Sequence, residues 1–326
     1  MIRAKITGTG SAVPAKVLTN FDLEKMVDTS DEWIVTRTGI RERRIASEGE
    51  YTSTFATAAA RKALEAAGVA AEELDLIVIG TLTPDYPFPA TACLLQHNLK
   101  AANAACFDLS AACSGFIYAL STAEKFIRSG NAKKALVIGA EVLSRIVDWT
   151  DRNTCLLFGD GAGAVVLEAC EGESGILSTH MHSDGNHWEL LHQKGCGSRH
   201  PASQQSIDDR LMYISMQGNE VFKLAVRSMG EVAMEALTAN GLTTDDVSLF
   251  IPHQANLRII DSVGKRLSIG ADRTFVNLDR YGNTSAASIP IALDEAYRGG
   301  RIKEGDLVLL DAFGGGLTWG AAAIRW

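Results

Sequence analysis

Cys113 stands at a position where a thiol can act as a nucleophile. The strand-like segment ACFDLS gives way there to a helix pattern that begins around Ser114. A sulfur at the start of a helix lies near the positive end of the helix dipole, which favours the thiolate form. A free cysteine is more often a small buried hydrophobe. The junction outweighs that interpretation, because open α/β sheets bind ligands beyond the carboxyl ends of their strands.

A histidine and an asparagine in the carboxyl half occupy comparable positions. His253 follows the apolar run VSLFIP, and Asn283 stands between Gly282 and Thr284. A lone histidine is more often a surface or core residue, and an asparagine beside glycine is usually part of a turn. Both would nevertheless face the same crevice as Cys113 if two halves of the chain pack about a local twofold axis. This convergence makes all three residues candidates for catalysis.

The elements that must position these residues recur in the two halves of the chain. In the amino half, LDLIVIG is followed by ACFDLS, a helix pattern and ALVIGAE; in the carboxyl half, VSLFIPH is followed by TFVNLD, a helix pattern and DLVLLDAFG. Cys113 precedes Gly130 by 17 residues, and Asn283 precedes Gly300 by the same number. This internal repeat predicts that Cys113 and Asn283 are equivalent positions.

Short apolar runs alternating with helix patterns predict buried strands joined by crossovers, in an α/β fold. The rough boundary between the halves falls at the turn EGESG, which gives one half at residues 1–172 with the cysteine and one at 173–326 with the histidine and asparagine. Segment 178–212 has turn formers and no clear period. We expect it to form a long irregular loop or a cap over a site.

Composition excludes several classes of protein. The 326 residues are 46% hydrophobic, enough for about two cores. The net charge of −8 disfavours general binding of nucleic acid or of anionic membranes. No signal-peptide pattern and no run of eighteen apolar residues is present, so we expect no membrane insertion. Six scattered cysteines without zinc-like or redox-like spacing indicate reduced thiols and a cytoplasmic protein.

Two further patterns suggest cofactors and are set aside. The glycines of FGDGAGAVVLEA are followed by an apolar strand pattern where a dinucleotide fingerprint needs a helix. Five histidines crowd segment 178–212 together with Cys196, but their spacing matches no standard zinc site. In AFGGGLTWG, three adjacent glycines let backbone N–H groups approach a ligand, although a tight turn explains them equally well. We therefore predict neither a metal nor a nucleotide cofactor.

Taken together, the motifs FDLSAACSGF, IPHQANLRII, RYGNTSAAS and AFGGGLTWG resemble those of the 3-oxoacyl-[acyl-carrier-protein] synthase III family, within the thiolase-like superfamily. The similarity extends from SDEWIVTRTGIRER to the final strand and covers nearly the whole chain. It implies a five-layered αβαβα fold of two similar halves, a homodimer, and an active site of Cys113, His253 and Asn283. Elongating synthases carry a second histidine in place of this asparagine, and thiolases a second cysteine.

The resemblance also implies the reaction. Cys113 would take an acyl group from a short acyl coenzyme A such as acetyl coenzyme A. His253 and Asn283 would then stabilise the enolate formed as malonyl acyl-carrier protein loses carbon dioxide. The oxyanions of both acyl steps would rest on the backbone N–H groups of Cys113 and Gly315. The product would be 3-oxoacyl carrier protein, which starts fatty-acid synthesis, with coenzyme A thioester as substrate and no cofactor.

Trp33 and Arg37 lie four residues apart and share one helical face, where they could sandwich an adenine ring. An ordinary amphipathic helix with a solvated basic face explains the pair equally well. The resemblance implies that Trp33, Arg37 and Arg152 hold the nucleotide end of coenzyme A. It likewise implies that Asn219 contacts the pantetheine arm.

Carrier protein is strongly acidic, so a basic patch is expected at the mouth of the site. Lys223, Arg258, Lys265 and Arg266 are the candidates, with Arg258 singled out by the resemblance, and a solvated face would account for the same charges.

Three residues are candidates for the acyl pocket. Phe88 resembles the residue that reaches across the dimer and limits the pocket to a short starter. Leu156 and Leu157 stand where an isoleucine pair is common in the family, so the length of the starter stays open.

Three other functions remain compatible with the sequence. A synthase of specialised metabolism would use the same cysteine chemistry with an unusual acyl group, or with coenzyme A in place of carrier protein. A cysteine hydrolase would release free acid without a malonyl donor. A silent binding subunit would only dock carrier protein, although the intact trio argues against that function.

Overall fold

The computed structural model describes residues 2–326 and contains the following strands. They are β1 (Ile2–Ala12), β2 (Val17–Thr19), β3 (Glu42–Arg44), β4 (Leu76–Gly80), β5 (Ala105–Leu109), β6 (Lys134–Val142), β7 (Asp160–Glu171), β8 (Gly175–Ser183), β9 (Leu191–His192), β10 (Ser215–Met216), β11 (Leu249–Pro252), β12 (Leu307–Gly314) and β13 (Thr318–Arg325).

The α-helices are α1 (Asn20–Leu23), α2 (Asp31–Thr38), α3 (Thr52–Ala67), α4 (Thr91–Leu99), α5 (Gly115–Arg128), α6 (Gln204–Asp208), α7 (Gly218–Thr238), α8 (Leu257–Leu267), α9 (Leu278–Tyr281) and α10 (Ser288–Arg298). Short 3-10 turns precede α5 and α10, at residues 112–114 and 285–287.

Two sheets with matching strand order form the framework. The first has the order β1-β7-β6-β4-β5, and the second has the order β11-β12-β13-β8. Parallel pairing joins β4 to β6 and β11 to β12, whereas β7 and β13 run antiparallel to their neighbours. The series β4, β6, β7, β1 thus recurs as β11, β12, β13, β8, with β5 as the additional edge strand.

The sheets and helices form five layers. The central layer is α5 and α10, whose apolar residues pack between the inner faces of both sheets. Helices α3 and α4 cover the outer face of the first sheet, and α7 and α8 cover that of the second. Strands buried on both faces explain runs such as LIVIG and LVLL, in which apolar residues are continuous. The predicted five-layered αβαβα fold is confirmed.

The predicted equivalence of Cys113 and Asn283 is wrong by three residues. Ala112 and Ser285 each open a 3-10 turn with a positive φ, of 45° and 50°. The residue that follows Ser285, and so matches Cys113, is Ala286. Helix α10 has 11 residues and α5 has 14. This difference of three offsets the misalignment and produced the equal spacing to the following glycines.

Two segment predictions also change. The strand expected at TFVNLD is a single bridge between Thr274 and Phe250, after which the chain turns into α9. The irregular segment expected at 178–212 begins as the regular edge strand β8, which ends at Ser183. Beyond β8 the segment contains a 3-10 turn at 185–190, the two-residue strand β9 and the short helix α6, and Leu191 and His192 reach the wall of a cavity beside Cys113. Its expected role as a cap therefore fits the later part alone.

Glycines allow the two halves to approach each other closely. A Cβ atom at Gly139 in β6 would lie 2.1 Å from the carbonyl oxygen of Ala286. A Cβ atom at Gly163 in β7 would lie 2.5 Å from the backbone nitrogen of Ile291 in α10. The turn that carries Ala286 therefore rests directly on β6.

Asp311 in β12 is a buried carboxylic acid, and we expect Asp311→Asn to stabilise the protein. Within the described residues no hydrogen bond of ordinary geometry reaches either side-chain oxygen, and burial raises the pKa of Asp311 well above its usual value, against a smaller effect of the nearby Ala312 N–H. A folded state that holds a proton which the unfolded state releases above about pH 4 loses stability as pH rises. The free energy of unfolding should increase by about 1–3 kcal/mol in the variant near neutral pH.

Urea unfolding at pH 4.5 and pH 7.5 checks this expectation. The advantage of Asp311→Asn should widen at the higher pH, whereas Asp261→Asn, on the exposed face of α8, should leave stability nearly unchanged at both. An advantage that shrinks as pH rises would contradict the assignment.

Candidate active site

Cys113 lies in the turn between β5 and α5 and is buried. Burial raises the pKa of its thiol to about 12, and the charge of Glu141 acts in the same direction, while a hydrogen bond from the Ser285 hydroxyl lowers it. The expectation of a resting thiolate is therefore wrong, because desolvation of the sulfur outweighs the effect of the helix start. The sulfur must lose its proton as it attacks.

His253 follows β11, and its backbone N–H donates to the carbonyl oxygen of Asp311 at 2.7 Å. Burial lowers the pKa of the imidazole to about 3, so the ring is neutral at physiological pH. Its Nδ1 lies 2.6 Å from Ser288 Oγ, and that oxygen also accepts the N–H of Gln254 at 3.3 Å. When the Ser288 hydroxyl donates to Nδ1, the ring proton lies on Nε2 and points away from Ser288.

Asn283 precedes the turn that leads into α10, and its side chain is oriented by one backbone contact. The N–H of Ser285 donates to Asn283 Oδ1 at 2.8 Å. Because a backbone N–H can bond only to the oxygen of a carboxamide, this contact leaves the NH₂ group of Asn283 as a donor. Backbone bonds from Asn283 to Leu157 and from Gly159 to Asn283, at 2.8 and 3.0 Å, fix the segment against the other half.

Cys113, His253 and Asn283 all line one elongated cavity of about 610 Å³. The cysteine comes from the first half of the chain and the other two from the second. The structure therefore brings together the three residues that the sequence singled out. A buried thiol beside two neutral hydrogen-bond donors can form an acyl-enzyme and stabilise an oxyanion.

The predicted coenzyme A residues meet at the outer end of the same cavity. Trp33 and Arg37 line it, with the Arg37 guanidinium carbon 5.6 Å from the centre of the indole ring. Arg152 comes from the first half and places its guanidinium carbon 4.8 Å from the same ring. Asn219, at the start of α7, also lines the cavity. An indole ring with two guanidinium groups close to it is a suitable stacking site for a base.

Two of the predicted basic residues border this opening. Lys223 and Arg258 both line the cavity. Lys223 pairs with Glu220 at 2.8 Å, whereas the Arg258 guanidinium carbon lies 5.6 Å from the ring of Phe222. Lys265 and Arg266 lie in the last turn of α8, away from the opening.

A second cavity of about 240 Å³ lies on the other side of Cys113, and Gly315 is part of its wall. Its apolar lining comes from residues that the sequence did not reveal: Leu82, Leu143, Ile146 and Ile214. They come from three separate segments of the chain, at residue 82, at 143–146 and at residue 214, so no local motif joins them.

None of the predicted acyl-pocket residues lines the smaller cavity directly. Leu156 is buried in the hydrophobic cluster that also contains the cavity residues Leu143 and Ile214, and Leu157 lines the longer cavity. Phe88 is 86% exposed at the tip of a loop.

An open cleft of about 900 Å³ lies between α3 and α10, away from Cys113, and its charged residues are largely paired with one another. Among residues 2–326, no group of three or more His, Cys, Asp and Glu side chains is arranged to hold a metal ion. In the same range, no helix combines the length and apolarity that a bilayer crossing requires.

Two family models match the chain. The one described as 3-Oxoacyl-[acyl-carrier-protein (ACP)] synthase III matches residues 107–185, which include Cys113. The one described as the C terminal of the same synthase matches residues 237–326, which include His253 and Asn283.

Curated relatives match over their whole lengths. A protein of Caldanaerobacter subterraneus named Beta-ketoacyl-[acyl-carrier-protein] synthase III is 55% identical over 325 residues, which cover 100% of this chain and 98% of the relative. A protein of the same name from Xanthomonas campestris is 57% identical, with 100% and 99% covered.

Solved structures agree with these matches. The 3-oxoacyl-[acyl-carrier-protein] synthase III of Aquifex aeolicus has a TM-score of 0.93 and 57% identity, and the match covers 99% of this chain and 100% of the other. A priming β-ketosynthase of the R1128 polyketide pathway has a TM-score of 0.92 and 38% identity, with 98% and 95% covered.

Proposed function

The chain belongs to the 3-oxoacyl-[acyl-carrier-protein] synthase III family, and from that premise we propose that Cys113, His253 and Asn283 carry its reaction. The enzyme is an acyltransferase that condenses an acyl coenzyme A with malonyl acyl-carrier protein and starts fatty-acid synthesis. The observation that supports the residue assignment is that all three side chains line one cavity.

In the first half-reaction, Cys113 Sγ attacks the thioester carbon of the acyl coenzyme A. A new carbon–sulfur bond forms, the bond to coenzyme A breaks, and the thiol proton leaves with the coenzyme A sulfur. The negative oxygen of the intermediate would accept hydrogen bonds from the N–H groups of Cys113 and Gly315. Both residues line the wall of the smaller cavity, into which the acyl chain would extend.

In the second half-reaction, malonyl carrier protein places its thioester oxygen between His253 Nε2–H and the Asn283 NH₂ group. The bond to the carboxylate breaks, carbon dioxide leaves, and its electron pair becomes the enolate that these donors stabilise. Each well-placed donor contributes about 3 kcal/mol to such a step. The enolate carbon then attacks the acyl carbon, the bond from that carbon to Cys113 breaks, and the released thiolate takes up a proton from solvent. A pKa of about 3 keeps His253 a neutral donor throughout the neutral range.

The substrate's nucleotide end would stack at Trp33 between the guanidinium groups of Arg37 and Arg152, whose positions around the indole support this role. The pantetheine arm would pass Asn219 on its way to Cys113. Coenzyme A thioester is then the substrate, and the chain's own side chains supply the groups that the two steps use.

We propose a homodimer in which the partner subunit closes the acyl pocket. The edge strand β5 and the 86% exposed ring of Phe88 support this assembly, because both leave pairing or apolar surface open in a single chain. Phe88 would then limit the partner's pocket, with Leu156 and Leu157 as further candidates. A cavity of about 240 Å³ fits a short starter such as acetyl.

Two broader assignments complete the proposal. The halves 1–172 and 173–326 would supply the cysteine and its two partners separately, and the strands of the two sheets fall on either side of this boundary. The compartment would be the cytoplasm, where the thiol of Cys113 stays reduced. All six cysteines are free.

Carrier protein would dock at Lys223 and Arg258, and charge reversal at Arg258 tests this contact. Arg258→Glu is expected to raise KM for malonyl carrier protein about tenfold at low salt, with little change in KM for acyl coenzyme A, because it places like charges face to face. The difference should shrink as ionic strength rises. Arg61→Glu, on the exposed face of α3, is the matched control. Unchanged carrier affinity and salt dependence in Arg258→Glu would contradict the docking site.

Intact-protein mass spectrometry with a panel of acyl coenzyme A esters, followed by product analysis, tests the function. A Cys113 adduct that disappears on adding malonyl carrier protein, with 3-oxoacyl carrier protein and carbon dioxide as products, supports it. Free acid without malonyl donor would indicate a hydrolase, and no adduct a silent subunit. Preference for an unusual acyl group or for malonyl coenzyme A would indicate specialised metabolism, in line with the R1128 match.

A further inference from the structure

Glu141 is a buried carboxylate near the reacting groups, and neither half-reaction uses it. It lies near the end of β6, and its oxygens accept the N–H groups of Leu82 and Thr83 at 3.2 and 3.1 Å. The hydroxyl groups of Thr81 and Ser285 donate to it at 3.2 and 3.1 Å. These partners are neutral, so burial dominates and raises the pKa of Glu141 to about 7. The residue therefore changes charge in the working range of pH.

Ser285 connects this carboxylate to the reacting groups. Its Oγ donates to Glu141 Oε1, and its N–H donates to Asn283 Oδ1 at 2.8 Å. Ser285 and Cys113 both line the smaller cavity, and the Ser285 hydroxyl lowers the pKa of the Cys113 thiol. Ser285 also holds a positive φ of 50°, a strained backbone conformation for a residue with a side chain. One residue thus lies beside the nucleophile and bonds to both the carboxamide oxygen and Glu141.

We propose that Glu141 is a positioning residue whose protonation state, acting through Ser285, sets the reactivity of Cys113. The inference rests on the proposed role of that cysteine. When Glu141 is ionised, it draws the Ser285 hydroxyl proton to itself and places a negative charge near the sulfur. When Glu141 is protonated, the Ser285 proton is free to turn to the sulfur and to stabilise the thiolate as it forms.

The titratable groups around this network have widely separated pKa values. The loop after β4 faces Glu141 with the neutral groups of Thr81, Leu82 and Thr83, and the turn before α10 faces it with Ser285. The titratable group that faces it from the turn before α5 is Cys113, whose pKa of about 12 lies far above neutrality. His253, with a pKa of about 3, lies far below. An inflection near pH 7 therefore reports Glu141.

The experiment compares the wild-type enzyme with Glu141→Gln, which keeps the shape of the side chain and removes its ionisation. The rate of Cys113 acylation by acetyl coenzyme A is followed by quenched-flow mass spectrometry from pH 5.5 to 8.5. Because ionised Glu141 disfavours the thiolate, the ratio of the wild-type rate to the variant rate should fall at least threefold as pH rises through 7. In steady state near pH 8, Glu141→Gln should acylate at least threefold faster than the wild type, because it resembles the protonated form, and KM for acetyl coenzyme A should stay nearly unchanged.

Two further variants make the outcome decisive. Glu124→Gln is the matched control, because Glu124 is a buried glutamate in α5 whose partners are Lys125 and Arg128. It should follow the wild-type curve. Ser285→Ala keeps Glu141 and breaks the link, so it should also lose the inflection, even where Glu141→Gln folds poorly.

The possible results distinguish failure of this inference from failure of the proposed function. A wild-type enzyme that acylates normally, with Glu141→Gln and Ser285→Ala following its pH curve, overturns the role of Glu141 and leaves the proposed function intact. Equal loss of rate in both variants at every pH would also overturn that role, since a merely structural contribution predicts it. A wild-type protein that forms no acyl adduct overturns the proposed function and this inference with it.

Discussion

Cys113→Ala is expected to lose condensation by about 10⁴-fold or more, while it continues to release carbon dioxide from malonyl carrier protein. Removal of a covalent nucleophile eliminates the acyl-enzyme route altogether. Decarboxylation depends instead on His253 and Asn283, whose contacts with Ser288 and Ser285 do not involve the sulfur. The small alanine leaves the neighbouring backbone unchanged, so the two activities should separate.

Intact-protein mass spectrometry with acetyl coenzyme A, combined with release of labelled carbon dioxide, measures both activities in one preparation. Cys170→Ala is the control, since Cys170 lies at the far end of β7, away from both cavities. An acyl adduct of normal yield on Cys113→Ala would show that the nucleophile is another residue.

His253→Ala and Asn283→Ala should have the opposite effect: decarboxylation is lost and acylation of Cys113 is kept. Each variant loses one donor to the thioester oxygen, and loss of one such donor lowers a rate by about 10²–10³-fold. Decarboxylation and condensation should both fall by this factor, whereas the acyl adduct on Cys113 should still form. In the wild type, the decarboxylation rate should show no inflection near pH 6.5, because burial keeps the pKa of His253 at about 3.

Stopped-flow decarboxylation from pH 5.5 to 8.5 checks this pair, with His97→Ala in α4 as a histidine control. If His253→Ala kept a normal decarboxylation rate but lost acylation, the imidazole would instead serve as the base for the thiol. A bell-shaped wild-type profile centred on pH 6.5 would likewise contradict a neutral donor.

The layered architecture was accessible from the sequence because its strands are buried on both faces. Runs such as LIVIG and LVLL, separated by helices with one apolar face, have few other folded solutions. Cys113 was accessible for a related reason, since the end of a parallel strand is a recurring place for chemistry. His253 and Asn283 required the additional assumption that the halves converge.

The register of the repeat and the protonation state of the Cys113 sulfur could not be predicted from the sequence. Equal spacing to Gly130 and Gly300 suggested the wrong partner for Cys113, because the shorter α10 cancels the shift. Spacing also carries no information on solvent exposure, and burial rather than the helix start decides the pKa of the thiol. The acyl cavity was missed for a third reason. Its lining side chains, such as Leu82 and Ile214, are far apart along the chain.

Glu141 was overlooked because the run ALVIGAEV looks like an ordinary strand with one polar residue near its end. Its significance depends on long-range contacts with Ser285, which no local pattern reveals. A carboxylate inside an otherwise apolar strand is nevertheless a signal, because a buried charge requires partners elsewhere in the fold.

The tight contact at Gly139 has a consequence for how the enzyme can vary. A single methyl group there would act as a wedge between β6 and the Ala286 carbonyl, and would push the turn that bears Asn283 away from Cys113. Each sheet could still assemble around its own apolar residues, so a substitution at this contact should reduce the turnover rate more than the stability of the fold. Sequence changes should therefore be tolerated in the outer helices and excluded where the two halves meet.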